Sequence, residues 1–111
     1  MSKFGDRIEK LSATIASRRG ADPSESWSAR LLNDPELAAK KLAEEAVELS
    51  LAAVAGRRDG IVAESADLIY HWLALIAGAG VSLDEVAEAL AAREGRSGVA
   101  EKAARGSRKT V

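Results

Sequence analysis

Five carboxylates recur at helical spacing in two stretches of this chain, 42 to 56 and 60 to 83, that contain neither lysine nor arginine. Carboxylates three or four residues apart lie on the same side of a helix, where like charges repel. Desolvated carboxylates without a countercharge take up a proton or bind a cation. The pattern therefore predicts a metal site, and its candidate members are Glu44, Glu45, Glu48, Glu64 and Asp67.

Carboxylate ligands alone favour a hard cation. Mg²⁺ is preferred where coordination positions are left to water and substrate phosphates, and Mn²⁺ is the expected substitute. A di-iron site would add Glu-x-x-His motifs. The chain has one histidine, His71, which follows Asp67 at four residues and does not follow Glu64 at three. We therefore disfavour iron chemistry and expect His71 in the core or behind the ligands.

Apolar periodicity and capping residues predict helices on which these carboxylates lie. Phe4, Ile8, Leu11 and Ile15 form the stripe of a first amphipathic helix. Pro23 and Pro35 each follow an aspartate, which is typical of a helix start, and Ser82 with Glu85 is the pattern of a capping box. The expected helices run from 4 to 19, 23 to about 32, 35 to 56, 60 to about 77 and 83 to about 94.

The composition indicates an all-α domain. The 111 residues are 47% hydrophobic but only 4% aromatic, which suits close-packed helices better than sheets. We expect a bundle of about five helices centred on two long antiparallel helices, which a tight connection at Asp59 and Gly60 joins. Residues 1–105 should form one domain, with 106–111 as a mobile tail. The antiparallel pair would bring the two groups of carboxylates face to face.

The overall charge and the terminal segments limit the partners. A formal net charge of −1 does not favour nucleic acid or an anionic membrane. The first residues lack an apolar signal core, and the apolar run from Trp72 to Val81 is too short to span a bilayer. Together with the absence of cysteine, these features suggest a soluble cytoplasmic protein. The two long, nearly all-round apolar helices suggest burial against a second copy in a homodimer.

Four segments carry a family resemblance. The strings KLAEEAVE from Lys41 to Glu48 and ESADLIYH from Glu64 to His71 resemble the signature of the all-α nucleotide pyrophosphohydrolase superfamily. Within it, SWSARLL at 26–32 and REGRSGVAEKA at 93–103 make the chain most similar to the phosphoribosyl-ATP pyrophosphatases of histidine biosynthesis. The resemblance covers roughly residues 8 to 105.

The resemblance implies a reaction and a role for each site residue. The reaction is Mg²⁺-dependent hydrolysis of phosphoribosyl-ATP to phosphoribosyl-AMP and pyrophosphate, the second step of L-histidine biosynthesis. The metal ligands would be Glu45, Glu48, Glu64 and Asp67, and Glu44 would orient or deprotonate the attacking water. Trp27 is more simply a core residue than a stacking partner for a base. The candidates for holding phosphates, each also explained as a solvated base or hydroxyl, are Lys41, Arg96, Ser97, Lys102 and Arg105.

Two alternatives stay open on the sequence. A house-cleaning pyrophosphatase for dUTP or non-standard nucleotides would share the acidic centre but would not need the segment at 93–103. A non-catalytic helical interaction module would use the same acids for solubility and would show no response to Mg²⁺. The first is distinguished by its substrate and the second by the effect of metal on thermal stability.

Overall fold

The computed structural model describes residues 2–94 and contains five α-helices and no β-strand within that range. An all-α fold with about five helices is therefore confirmed. Two long helices, α3 and α4, follow one another in the chain and make the most extensive packing contact. The helices are α1 (Lys3–Ser17), α2 (Trp27–Asn33), α3 (Pro35–Val54), α4 (Arg58–Gly78) and α5 (Leu83–Arg93).

Side-chain caps begin four of the five described helices. Asp34 accepts a hydrogen bond from the backbone N–H of Leu37 at 3.1 Å, and Pro35 occupies the first turn of α3. Ser82 and Glu85 form the capping box expected at the start of α5. Each cap satisfies a backbone donor that has no partner inside the helix. The predicted starts of α3 and α5 are confirmed.

The predicted start of the second helix at Pro23 was wrong. Asp22 accepts hydrogen bonds from the backbone N–H and the hydroxyl of Ser24, which closes a turn at this point. The helix begins four residues later at Trp27, where Ser26 provides the cap. An aspartate followed by proline starts a turn as readily as a helix, because its side chain can bond to backbone two residues ahead.

The predicted connection at Asp59 and Gly60 was also wrong. Both residues belong to the first turn of α4, and the chain reverses at Ala55–Arg57. Gly56 has a φ of +71°, the left-handed conformation that commonly ends a helix. Gly60 instead lies where a Cβ would come within 3.4 Å of the Ala52 side chain. Gly60 therefore packs against α3 at the start of α4.

The core forms around the packed helices α1 to α4. Helix α4 contacts all three of the others, and the largest fully buried side chains are Ile15, Leu31 and Leu73. A side chain that follows α1 binds the C-terminal end of α4: the Arg19 guanidinium donates a hydrogen bond to the carbonyl of Ala77 at 3.1 Å. The contact between Gly60 and Ala52, one on each side of the turn, shows that α3 and α4 run antiparallel, as predicted.

Contacts divide the chain into two compact units, one up to Val81 and the other from Ser82 onward. Helix α5 is the described part of the second unit. It buries none of its side chains: Leu83 and Val86 are half-buried and Leu90 is exposed. The single domain expected over 1–105 stays a prediction, because residues from 95 onward lie outside the described part.

Helix α4 has the length and apolar composition of a membrane-spanning helix. The same test is passed by the central helix of a water-soluble domain. In this fold α4 packs against three neighbouring helices and carries Glu64 and Asp67. Within the chain, 17% of this apolar stretch is buried, and the two ionisable side chains lie close to the carboxylates of α3.

Candidate metal centre

Three of the predicted carboxylates meet between α3 and α4. Glu45 and Glu48 come from successive turns of α3 and Glu64 from α4, and one oxygen from each lies within 4.8 Å of the other two. The i, i+3 spacing places the first two on one side of their helix. The antiparallel packing then brings Glu64 opposite them. This separation is close enough for a single cation to contact all three.

Glu45 is the innermost member of the cluster. It is only 8% exposed, and its Oε2 atom is buried without a hydrogen-bond partner among the described residues. Burial raises the pKa of its carboxyl, and the negative charges of Glu48 and Asp67 raise it further. A buried acceptor without a donor is costly. The structure therefore contains an oxygen that a bound cation would satisfy.

Glu64 has a strongly raised pKa in this site. Loss of solvent and the neighbouring carboxylates raise its pKa from 4.5 to about 7, with Glu48 as the main charged neighbour. Near neutral pH this group therefore carries a proton for part of the time. A carboxyl with a raised pKa in a cluster of like charges is typical of a functional site.

Asp67 lies beside the cluster without joining the group of three. Its carboxylate is close enough to raise the pKa of both Glu45 and Glu64. It does not belong to the group whose oxygens all lie within 4.8 Å of one another. The side chain is exposed. The structure thus brings together three of the four predicted ligands and leaves the fourth adjacent.

These residues fit a hard divalent cation. The donors are carboxylate oxygens alone, they converge from two helices, and the buried Oε2 atom of Glu45 lacks a partner. Mg²⁺ and Mn²⁺ bind such ligands and retain positions for water and phosphate oxygens. Among the described residues, no lysine or arginine forms an ion pair with any of the three.

Glu44 lies outside the group of three oxygens and is exposed on α3. Its carboxylate pairs with the Lys41 ammonium group at 3.2 Å, and both side chains are partly exposed. Glu44 and Glu48 also line an open groove of about 400 Å³ on α3, with Ala43 and Val47 as its apolar part. The groove places Glu44 on the solvent side of the candidate ligands, where a water molecule has access.

His71 is not placed to bind a metal, because both of its ring nitrogens already have partners. Nδ1 lies 2.7 Å from the Asp67 carbonyl oxygen, and Nε2 lies 3.4 Å from the indole nitrogen of Trp27. The buried position of His71 agrees with the expectation of a residue behind the ligands. Trp27 was expected in the core but is 40% exposed, and its ring meets that of His71 edge to face. Sequence reasoning missed this contact, which joins residues 44 positions apart.

The remaining predicted residues lie outside the described part of the chain. These are the phosphate-binding candidates Arg96, Ser97, Lys102 and Arg105, together with the tail at 106–111. Their roles stay predictions.

Comparison with known proteins identifies the family. A sequence model described as "Phosphoribosyl-ATP pyrophosphohydrolase" matches residues 8–94, a segment that contains all five central carboxylates. The chain belongs to the phosphoribosyl-ATP pyrophosphohydrolase family. The predicted family is confirmed.

Curated members of the phosphoribosyl-ATP pyrophosphohydrolase family are similar over nearly their full length. A phosphoribosyl-ATP pyrophosphatase of Caulobacter vibrioides strain NA1000 is 66% identical over 103 residues, covering 93% of this chain and 96% of the relative. One from Caulobacter sp. strain K31 is 63% identical, covering 95% and 98%. One from Cereibacter sphaeroides strain KD131 is 50% identical, covering 89% and 97%. The family assignment thus extends to whole relatives of the same length.

Proposed function

We propose that this chain hydrolyses phosphoribosyl-ATP to phosphoribosyl-AMP and pyrophosphate, the second step of L-histidine biosynthesis. The observation that carries the proposal is a convergent carboxylate cluster with a buried, unpartnered oxygen in a chain of the phosphoribosyl-ATP pyrophosphohydrolase family. The bond cleaved is the anhydride between the α and β phosphates. A hydrolase acting on this anhydride needs a bound cation to offset phosphate charge, and the cluster supplies its ligands.

The metal in this proposal is Mg²⁺, with Mn²⁺ as a substitute. Glu45, Glu48 and Glu64 would hold it, and Asp67 would complete or share the coordination from its adjacent position. When bound, the cation lowers the pKa of water and neutralises charge on the phosphates. Glu45 is buried on the inner side of the site. The exposed side at Glu48 leaves an approach for substrate.

Glu44 is our candidate for orienting or deprotonating the attacking water. It is not needed as a metal ligand, because it lies outside the group of three oxygens. It borders the open groove beside Glu48, so that a water there can donate a hydrogen bond to it. Its partner Lys41 is positioned one turn before Glu45, from which an ammonium group can contact a phosphate. Arg96, Ser97, Lys102 and Arg105 are proposed to hold the remaining phosphates.

A panel of substrates tests this function against the house-cleaning alternative. The purified protein would be incubated with Mg²⁺ and phosphoribosyl-ATP, dUTP, dCTP or ATP, and pyrophosphate release would be measured. We expect phosphoribosyl-ATP to be cleaved far faster than the simple nucleoside triphosphates. Cleavage of the simple nucleotides alone would contradict the assignment to histidine biosynthesis.

We also propose that the protein acts as a cytoplasmic homodimer. Large apolar side chains of α3 and α4 are exposed in the single chain, among them Val47, Leu51, Val54 and Val62. Exposed aliphatic residues on neighbouring helices are typical of an interface. Sedimentation equilibrium should give twice the chain mass for the parent protein, and Leu51→Lys should shift the population toward the monomer. A monomeric parent protein would contradict the proposal.

A further inference from the structure

A chain of hydrogen bonds leads from the surface of α2 to the candidate metal ligands. The indole nitrogen of Trp27 lies 3.4 Å from Nε2 of His71. Nδ1 of the same ring lies 2.7 Å from the carbonyl oxygen of Asp67. The two rings meet edge to face, with centroids 6.3 Å apart. Three residues from two helices are thus joined through one buried imidazole.

The donor and acceptor roles of the two His71 ring nitrogens follow from the chemistry of their partners. An indole N–H only donates, so Nε2 of His71 must accept. A carbonyl oxygen only accepts, so Nδ1 must carry the hydrogen and donate to Asp67. The imidazole is therefore held as one tautomer, and its single N–H group is already used.

The imidazole is buried, and its Nδ1 bond ends on the backbone carbonyl of Asp67, whose carboxylate lies beside the group of three. Metal-ligating residues are commonly oriented by hydrogen bonds from residues behind them. The bond from Trp27 therefore acts on the part of α4 that carries a candidate ligand.

We propose that Trp27 is a positioning residue that acts through His71: its indole N–H fixes the imidazole that donates to the Asp67 carbonyl, and this holds the α4 backbone at the carboxylate beside the candidate metal ligands. The inference rests on the proposed metal centre. Trp27 itself is not a member of the carboxylate cluster. Its effect is to hold the α4 backbone at Asp67 through the His71 ring.

A second hydrogen bond between the same two helices provides a matched control. The hydroxyl groups of Ser28 and Tyr70 lie 2.6 Å apart, at positions adjacent in sequence to Trp27 and His71. This bond also joins α2 to α4, yet it involves no atom of His71 or Asp67. If the Trp27 bond served only to hold α2 against α4, loss of the Tyr70 bond would have the same effect on Mn²⁺ binding.

The experiment compares Mn²⁺ binding by the parent protein, Trp27→Phe and Tyr70→Phe. Free Mn²⁺ is measured by electron paramagnetic resonance in a titration without substrate, so the readout does not depend on turnover. Both variants keep an aromatic ring and lose one hydrogen-bonding group. Loss of residues that support metal ligands typically weakens binding by about 10- to 100-fold. For Trp27→Phe, one residue further away, we expect a loss of about 3- to 10-fold, and for Tyr70→Phe less than about twofold.

The outcomes separate the two proposals. Weaker Mn²⁺ binding by Trp27→Phe alone supports the positioning role. Equal binding by all three proteins, or equal losses in both variants, overturns it while leaving the metal centre intact. Failure of the parent protein to bind Mn²⁺ overturns the metal centre and the positioning role together.

A second measurement needs no variant that could fail to fold. The chain contains one histidine, so the ring nitrogen signals of tag-free, ¹⁵N-labelled protein belong to His71 without further assignment. Long-range ¹H–¹⁵N correlation spectra of the metal-free protein should show the tautomer with hydrogen on Nδ1. Observation of the Nε2–H tautomer would overturn the proposal, because that nitrogen could not then accept from Trp27.

Discussion

Glu45 on α3 and Glu64 on α4 each place a carboxylate oxygen within 4.8 Å of the other. Two negative groups are held this close because the helices that carry them pack along their length. The packing energy of the fold thus maintains an arrangement that electrostatics opposes. A cation at this point would relieve the repulsion.

Replacing Glu48 with Gln should abolish turnover and the response to metal. The substitution removes one negative charge from the group of three ligands, so repulsion in the metal-free protein decreases. We expect the metal-free melting temperature to stay equal or rise, and the increase caused by Mg²⁺ to disappear. Differential scanning calorimetry with EDTA and with Mg²⁺ measures both effects.

Glu9→Gln is the matched control for this substitution. Glu9 is exposed on α1, outside the cluster, so the same chemical change should leave the effect of Mg²⁺ intact. A melting temperature of the parent protein that does not respond to Mg²⁺ would favour the non-catalytic interaction module instead.

The effect of Mg²⁺ on stability should depend on pH through Glu64. Its pKa of about 7 in the fold lies above the ordinary 4.5, so the folded protein binds more protons than the unfolded chain between these values. The stability due to the protonated carboxyl is present below about pH 4.5 and is lost as pH rises through about 7. With EDTA, the melting temperature should fall over that window. With Mg²⁺, which competes with the proton, the stabilisation should grow as pH rises.

Thermal scans at about pH 6 and about pH 8, with EDTA and with Mg²⁺, measure this dependence. In Glu64→Gln the titrating group is absent, and the difference between the two pH values should shrink. An Mg²⁺ effect that is larger at the lower pH would be inconsistent with a metal held by Glu64.

Glu44→Gln should separate catalysis from metal binding. Glu44 lies outside the cluster of ligands and pairs with Lys41 on the surface. Loss of a general base typically lowers turnover by about 10²- to 10⁴-fold, whereas loss of an exposed ion pair costs at most about 1 kcal/mol. We expect a large fall in kcat with unchanged Mn²⁺ affinity. A variant that loses both together would place Glu44 among the ligands.

Gly56→Ala should destabilise the fold through backbone conformation alone. Gly56 has a φ of +71° and no atom within 4 Å of a Cβ built at this position. An alanine there would cost about 1–2 kcal/mol because a side chain disfavours the left-handed region. Gly20, which has equally open space and no positive φ, is the control, and Gly20→Ala should not be destabilising. Urea denaturation measures both, and equal effects would refute the role of Gly56.

The sequence predicted the helices well where hydrophobic periodicity and local caps agree. Ser82 with Glu85 and Asp34 before Pro35 start α5 and α3 as expected. The errors occur where one sequence pattern is compatible with two local structures. Asp22 before Pro23 closed a turn, and Asp59 with Gly60 lies in the first turn of α4 in place of the connection. Only tertiary contacts decide between such outcomes.

The sequence predicted which residues form the candidate site but not how they differ in burial and position. Helical spacing and antiparallel packing brought Glu45, Glu48 and Glu64 together. Spacing alone could not show that Glu45 is buried with an unpartnered oxygen while Asp67 stands outside the group of three. Nor could it reveal the contact between Trp27 and His71, because that bond depends on where α2 lies against α4.

Metal-dependent hydrolysis is tested by measuring turnover of phosphoribosyl-ATP by the parent protein as the divalent metal is removed and restored. We predict release of phosphoribosyl-AMP and pyrophosphate with Mg²⁺, no release with excess EDTA, and recovery when Mg²⁺ or Mn²⁺ is added back. Turnover that continues at full rate in EDTA would contradict the proposal that the carboxylates of α3 and α4 act through a bound cation.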